Sequence, residues 1–180
     1  MIKNILAFGA SSSKYSINKQ LANYIAHSIP DSNVDLLDLN DFEMPIFSID
    51  KEIEGGIPTL ALDFKSKIKD CDGIVISFAE HNGAYSAAFK NIFDWISRIE
   101  DNVWANKPMF LAATSPGGRG GASVLEIAVN KFSRMTKGGI VSFSLPSFHD
   151  NLDKEKGILN SELEESLRKA INEFDKELLA

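Results

Sequence analysis

The chain has 180 residues, 44% of them apolar, and a formal net charge of −6. That length and apolar share suit one globular domain over residues 1–180, and the acidic balance argues against nucleic acid as a partner, which needs a basic footprint. The single cysteine, Cys71, excludes an intramolecular disulfide, and His27, His81 and His149 are too scattered for a zinc spacing.

Residues 2–8 read as a buried strand, and Ile17, Leu21, Tyr24, Ile25 and Ile29 then repeat at helical spacing. A second strand is expected over 34–39. Residues 40–58, with Pro45, Gly55, Gly56 and Pro58, read as a long connection. A helix over 59–69 presents Leu60, Phe64 and Ile68 on one face, and 73–78 is a third strand. Residues 85–99 mark the strongest helix. Strands are expected over 108–114 and 139–145, with a helix from Val124 to Met135 between them. The last helix is expected to open on Ser161-Glu162-Leu163-Glu164, a capping box. Strands alternating with helices imply a parallel sheet covered on both faces, an α/β fold. No apolar run approaches the roughly 18 residues of a membrane span, and no signal peptide precedes the first strand. The expected location is cytoplasmic, with no membrane partner.

In such a sheet ligands bind beyond the carboxyl ends of the strands. The unusual residues lie there. After strand one comes Ser11-Ser12-Ser13-Lys14-Tyr15-Ser16-Ile17-Asn18, with no acid between Phe8 and Asp31. Hydroxyls and amides at the positive end of a helix dipole form a phosphate cradle. Ser11, Ser13, Ser16 and Asn18 are the expected donors, and Ser16 is also a plausible helix N-cap. A turn that only caps the helix is the alternative. The loop is neither a P-loop nor a dinucleotide fingerprint.

After strand three comes Ala79-Glu80-His81-Asn82-Gly83-Ala84, whose glycine suits positive φ and whose backbone can press on a flat heteroaromatic ring. His81 invites an acid–base role, but no partner can be assigned, so it reads as a turn residue beside a ligand. After strand four comes Ser115-Pro116-Gly117-Gly118-Arg119-Gly120-Gly121, where the backbone can approach a ligand closely. Cys71 reads as a small apolar filler. Asp38, Asp41 and Asp50 lie on ordinary connections rather than in a metal site. Trp95 is expected in a core or a subunit contact. Trp104 and Phe148 suit either the open side of a pocket or ordinary packing.

Together these segments resemble the NAD(P)H-dependent FMN reductase family. The family's first motif, approximately Gly-Ser-x-Arg-x-x-Ser-x-Asn-x-x-Leu, is similar to residues 11–21. Its second, Pro-Glu-Tyr-Asn-Gly-Ser followed by Leu-Lys-Asn and Asp-Trp, is similar to residues 79–84, Phe89-Lys90-Asn91 and Asp94-Trp95. Its Ser-x-Gly-Gly segment falls at Ser115 to Gly118.

The resemblance implies a flavodoxin-like three-layer sandwich with a five-stranded parallel sheet. Ser11, Ser13, Ser16, Ile17 and Asn18 would cradle the FMN phosphate. Glu80, His81, Asn82 and Gly83 would border the isoalloxazine ring, with Ser115, Pro116, Gly117 and Gly118 on its other side. NADPH or NADH would be the reductant, and a flavin, quinone, azo compound or metal oxyanion the acceptor. No catalytic side chain or metal is implied, because the flavin mediates hydride transfer. A homodimer or homotetramer is implied, with the helix over 85–99 in the interface. The alternatives are an electron carrier and a binding protein that has lost the cofactor. Two positions depart from the family pattern. Its arginine falls at Ser13, leaving Lys14 or Arg119 as substitutes, and His81 replaces its tyrosine.

Overall fold

The computed structural model describes residues 2–179. Five parallel strands form the centre: β1 (Lys3–Ala10), β2 (Ser32–Leu37), β3 (Gly73–Phe78), β4 (Met109–Thr114) and β5 (Ile140–Leu145). Their order is β2-β1-β3-β4-β5. The chain leaves β1 for one edge and returns to pair β3 on its other side, so the order reverses between β1 and β3. That crevice is where open α/β sheets bind ligands. The flavodoxin-like architecture expected from the sequence is the one observed.

Side chains alternate across the sheet with period two, and each set finds its own helix layer. Leu6, Phe8, Ile74, Ile76, Phe78 and Leu111 face one core, with Phe64 of α3 (Thr59–Asp70), Phe89 of α4 (Ala87–Ile96) and Phe132 of α5 (Ala122–Phe132). Ile5, Ala7, Val75, Phe110 and Phe143 face the other, with Leu21 and Ile25 of α1 (Ile17–His27) and Phe174 of α7 (Ser161–Glu177). β1, β3 and β4 are covered on both faces, which is why they read as continuous apolar runs.

The connection over 40–58 is more ordered than the sequence suggests. It holds a 3-10 turn (Leu39–Phe42) and the short helix α2 (Ile49–Gly55), capped by Ser48 and ended by Gly56 at φ 72°. None of the α2 residues is buried, and its one apolar pair, Ile49 and Ile53, is too short a pattern to mark the helix in advance. Other bounds shift as well: β2 spans Ser32–Leu37 rather than 34–39, and α5 ends at Phe132 rather than Met135. α4 starts at Ala87, because the Ser86 hydroxyl caps it by accepting from Phe89 N and donates to the Ala10 carbonyl at 2.8 Å. It ends at Ile96 rather than Ile99. The N-cap of α7 is Asn160, not Ser161: its Oδ1 accepts from the amides of Glu162 and Leu163 at 3.0 Å each, two orphan donors satisfied by one side chain. A one-turn helix α6 (Phe148–Asn151) and a small hairpin, β6 (Leu152–Asp153) with β7 (Gly157–Ile158), lie between β5 and α7.

Candidate functional site

The loops after β1, β3 and β4 meet over the β1/β3 crevice in a cleft of about 240 Å³. Ser11, Ser13, Ser16, Ile17, Asn18, Glu80, His81, Ser115 and Pro116 all line it, with Tyr15, Ala79 and Thr114. Asn82, Gly83, Gly117 and Gly118 lie outside that lining and serve the turns that shape it.

The first loop brings its donors to the start of α1. Gly9 permits this approach, since a Cβ there would stand 2.3 Å from the Lys19 amide nitrogen. Ser16 caps α1 through a bond from Lys19 N at 3.1 Å, as its place in the sequence suggests. Its hydroxyl proton stays free, and Ser11 Oγ likewise only accepts, from Ser13 N. Among the described residues the amides of Ile17 and Asn18 have no protein partner. Two amides, three hydroxyls and the half-charge of the helix dipole therefore face one spot.

The Asn18 side chain does not point at that spot. It is buried beneath the loop, where Oδ1 accepts from Ser77 Oγ at 2.7 Å and Thr114 N at 3.1 Å, and Nδ2 donates to the Thr114 carbonyl at 3.1 Å. The expected phosphate donor is instead a clamp joining α1 to the ends of β3 and β4, and only its backbone N–H faces the cleft. Thr114 completes the clamp by donating to the Leu145 carbonyl at 2.7 Å.

The second loop is a two-residue hairpin. His81 and Ala84 exchange both backbone bonds, at 3.0 and 3.1 Å, across Asn82 (φ 53°) and Gly83 (φ 76°). Asn-Gly is the pair that such a turn favours. The Glu80 carboxylate accepts from Val124 N in the first turn of α5 at 3.1 Å. α5 has no side-chain cap of its own and no acid in its first turn, so Glu80 supplies both from another loop. The second and third loops are thereby tied together.

In the third loop, Gly120 (φ 57°) and Gly121 (φ 72°) turn the chain into α5. A Cβ on Gly120 would stand 2.5 Å from Ser144 Oγ and 2.9 Å from the Leu145 carbonyl carbon. The Gly117 carbonyl accepts from Ser147 N at 3.0 Å, fixing the loop to the start of α6.

Neither candidate substitute for the family arginine lines the cleft. Arg119 donates to Ser123 Oγ at 2.8 Å, and Lys14 lies 5.6 Å over the Tyr15 ring. Lys19 pairs with Asp38 at 2.6 Å, which holds the Asp38 carboxyl below its ordinary range with help from the Asn40 amide. With no lysine or arginine in the lining, an anion in this cleft would meet chiefly amides and hydroxyls. That donor set fits a phosphate monoester at the start of α1, and the flanking backbone loops fit a flat ring.

Of the remaining singled-out residues, Trp104 is fully buried against Phe93 and Phe132 and so does not reach a pocket. Phe148 lines a second, larger cleft. Trp95 is buried and donates to the Pro45 carbonyl at 2.7 Å. Cys71 is a buried filler whose thiol is pushed up to about 11 by desolvation, which leaves it unreactive near neutral pH. Tyr15, Ser77 and Ser86 were not anticipated: only the first is at the cleft surface, and the serines act through tertiary partners that spacing does not reveal.

The family model for NADPH-dependent FMN reductase matches residues 3–150. An NADPH:quinone oxidoreductase of Arabidopsis thaliana is 35% identical over 96 residues, covering 53% of this chain and 47% of that protein. A 2-hydroxy-1,4-benzoquinone reductase of Burkholderia sp is 36% identical over 109 residues, covering 59% and 57%. The chain spans about half the length of the curated relatives it matches. Among solved structures, the flavoenzyme NAD(P)H:(acceptor) oxidoreductase FerB of Paracoccus denitrificans shares the fold with a TM-score of 0.76 at 22% identity, covering 98% of this chain and 97% of that one. Motifs, fold and family model agree: the chain belongs to the NADPH-dependent FMN reductase family.

Proposed function

We propose that the chain is one FMN-binding domain that oxidises NADPH or NADH and reduces a small acceptor, a quinone, flavin or azo compound. The observation that carries this is the convergence of three loops at the β1/β3 crevice, with unpartnered amides and hydroxyls at the start of α1. Ser11, Ser13, Ser16 and the amides of Ile17 and Asn18 hold the phosphate. Glu80, His81, Asn82 and Gly83 form one wall for the ring, and Ser115, Pro116, Gly117 and Gly118 the other. When bound, FMN supplies the redox chemistry, accepting hydride from the nicotinamide and delivering two electrons to the acceptor. The protein contributes orientation and backbone dipoles fixed before the reaction, through the hairpin at Asn82-Gly83, the Glu80 tie and the Asn18 clamp.

Protein loaded with FMN and mixed anaerobically with NADPH or NADH should lose its visible flavin absorbance and regain it when a quinone is added. Bound flavin that resists both nucleotides would point to an electron carrier. Failure to retain FMN at all would overturn the reading.

We also infer a homodimer. Ile46, Ile49 and Ile53 are 76%, 52% and 76% exposed, on a segment that is nevertheless firmly held. Asn91 of α4 donates to the carbonyls of Met44 and Pro45 and accepts from Phe47 N, while Phe47 packs edge-on to Trp95 at 5.0 Å. A rigid support that presents isoleucines to water suits a self-complementary contact. Light scattering should give twice the 19.8 kDa chain mass, and Ile49→Glu with Ile53→Glu should give the monomer. A wild-type monomer at high micromolar concentration would overturn this inference. The buried lone cysteine supports a cytoplasmic location, and no helix among the described residues is long and apolar enough to cross a membrane.

A further inference from the structure

The chain leaving β5 is stitched to the third loop along that loop's length. Thr114 Oγ1 donates to the Leu145 carbonyl at 2.7 Å, and Ser144 Oγ to the Gly120 carbonyl at 3.0 Å. Between these, Ser147 N donates to the Gly117 carbonyl at 3.0 Å and Phe148 N to the Ser115 carbonyl at 3.1 Å. Ser147 makes the turn that brings two successive amides onto one loop. It sits at φ 45° and ψ 61°, in the left-handed region. That conformation is unfavourable for residues with a side chain, least so for asparagine and most for β-branched residues. The Ser147 hydroxyl makes no capping bond to α6, so the role of this residue lies in its backbone. Phe148 beside it is 5% exposed and anchors the segment in the core with Val141 and Phe143.

These bonds fix which way the third loop faces. A trans peptide sets the C=O of one residue opposite the N–H of the next. The Ser115 carbonyl points to α6, and the ring of Pro116, which stands in place of that N–H, lines the flavin cleft. The same geometry turns the Gly118 N–H away from Ser147. Among the described residues that N–H has no protein acceptor. We propose that Ser147 is a positioning residue for the flavin: its left-handed backbone holds the Gly117 carbonyl outward and so aims the Gly118 N–H at the edge of the ring. The inference rests on the flavin reading above. A donor fixed at the ring edge favours reduced FMN, whose ring carries more negative charge.

The test is a series at Ser147 ordered by tolerance of left-handed backbone rather than by chemical likeness. Ser147→Gly and Ser147→Asn should match the parent, although both lose the hydroxyl. Ser147→Thr keeps the hydroxyl but is β-branched, and it should lose the alignment. Its preference for reduced over oxidised FMN should fall about tenfold, the effect of one hydrogen bond. For two electrons that lowers the midpoint potential by about 30 mV. Amide hydrogen exchange, with and without FMN, is the second readout. The Ser147 and Phe148 amides should be protected in the parent and exchange at least about tenfold faster in Ser147→Thr. Should Ser147→Thr fail to fold, Ser147→Ala should shift potential and exchange in the same direction by less. Retained FMN with an unshifted potential in the folded variant would overturn the proposal alone, as would unprotected amides in the parent or a Ser147→Asn protein that shifts. Failure of the parent to retain FMN would overturn the flavin reading and the proposal with it.

Discussion

Ser16→Asp should yield a colourless protein of nearly unchanged stability. The new carboxylate would stand at the start of α1, where Ser16 now lines the cleft and caps the helix. Aspartate is as good an N-cap as serine, and its charge suits the helix dipole. The fold should therefore hold, with a melting temperature within a few degrees of the parent. The phosphate of FMN would meet that charge at roughly 5 Å. At an effective dielectric near 20, two unit charges at this separation repel by about 3 kcal/mol, which is more than a hundredfold in affinity. The cleft has no lysine or arginine in its lining to offset the repulsion, so the loss should exceed what a site with a basic partner would show. Quenching of FMN fluorescence on titration gives the number. The companion Ser16→Ala should behave in the opposite sense, losing about 1 kcal/mol of stability with the cap and only modest FMN affinity. Unchanged FMN binding by Ser16→Asp would place the phosphate elsewhere.

The contrast between Ser16 and Asn18 shows what could be read from the chain and what could not. Strands β1, β3 and β4 are legible because burial on both faces makes them unbroken apolar runs, and the polar loops at their carboxyl ends follow from that. Ser16 is legible because capping is local: the hydroxyl meets an amide three residues on. The bond partners of Asn18 lie 59 and 96 residues away, on strands whose adjacency depends on the sheet order. The link from Glu80 to Val124 spans 44 residues and is hidden for the same reason. α2 was missed on different grounds. A seven-residue helix with only the pair Ile49 and Ile53 on one face, neither of them buried, offers too few repeats of the helical period to detect. The sites that local chemistry builds were visible, and the sites that topology builds were not.

The Asn18 clamp therefore carries the other large expected effect. Asn18→Ala should destabilise the protein by about 3–4 kcal/mol. It removes three hydrogen bonds and strands the Thr114 amide, the Thr114 carbonyl and the Ser77 hydroxyl. Ser77 and Thr114 are 0% and 1% exposed, so water cannot replace the lost partner without opening the sheet. FMN retention should fall as well, because the same side chain holds the amides of α1 over the crevice. Ser77→Ala removes one of the three bonds and leaves Thr114 satisfied, so it should cost only about 1 kcal/mol. Asn18→Asp separates packing from hydrogen bonding. It keeps the shape and both acceptor contacts but sets a carboxylate oxygen against the Thr114 carbonyl. Only the protonated form restores that bond, so folding raises the pKa of the new group above its unfolded value. The sign of the linkage follows: the native state binds more protons, and stability falls as pH rises through the native-state pKa. Urea denaturation of Asn18→Asp should thus show a midpoint that increases on mild acidification toward pH 5, with the parent protein as the reference. A midpoint that tracks the parent at every pH would mean the clamp is not what joins α1 to β3 and β4.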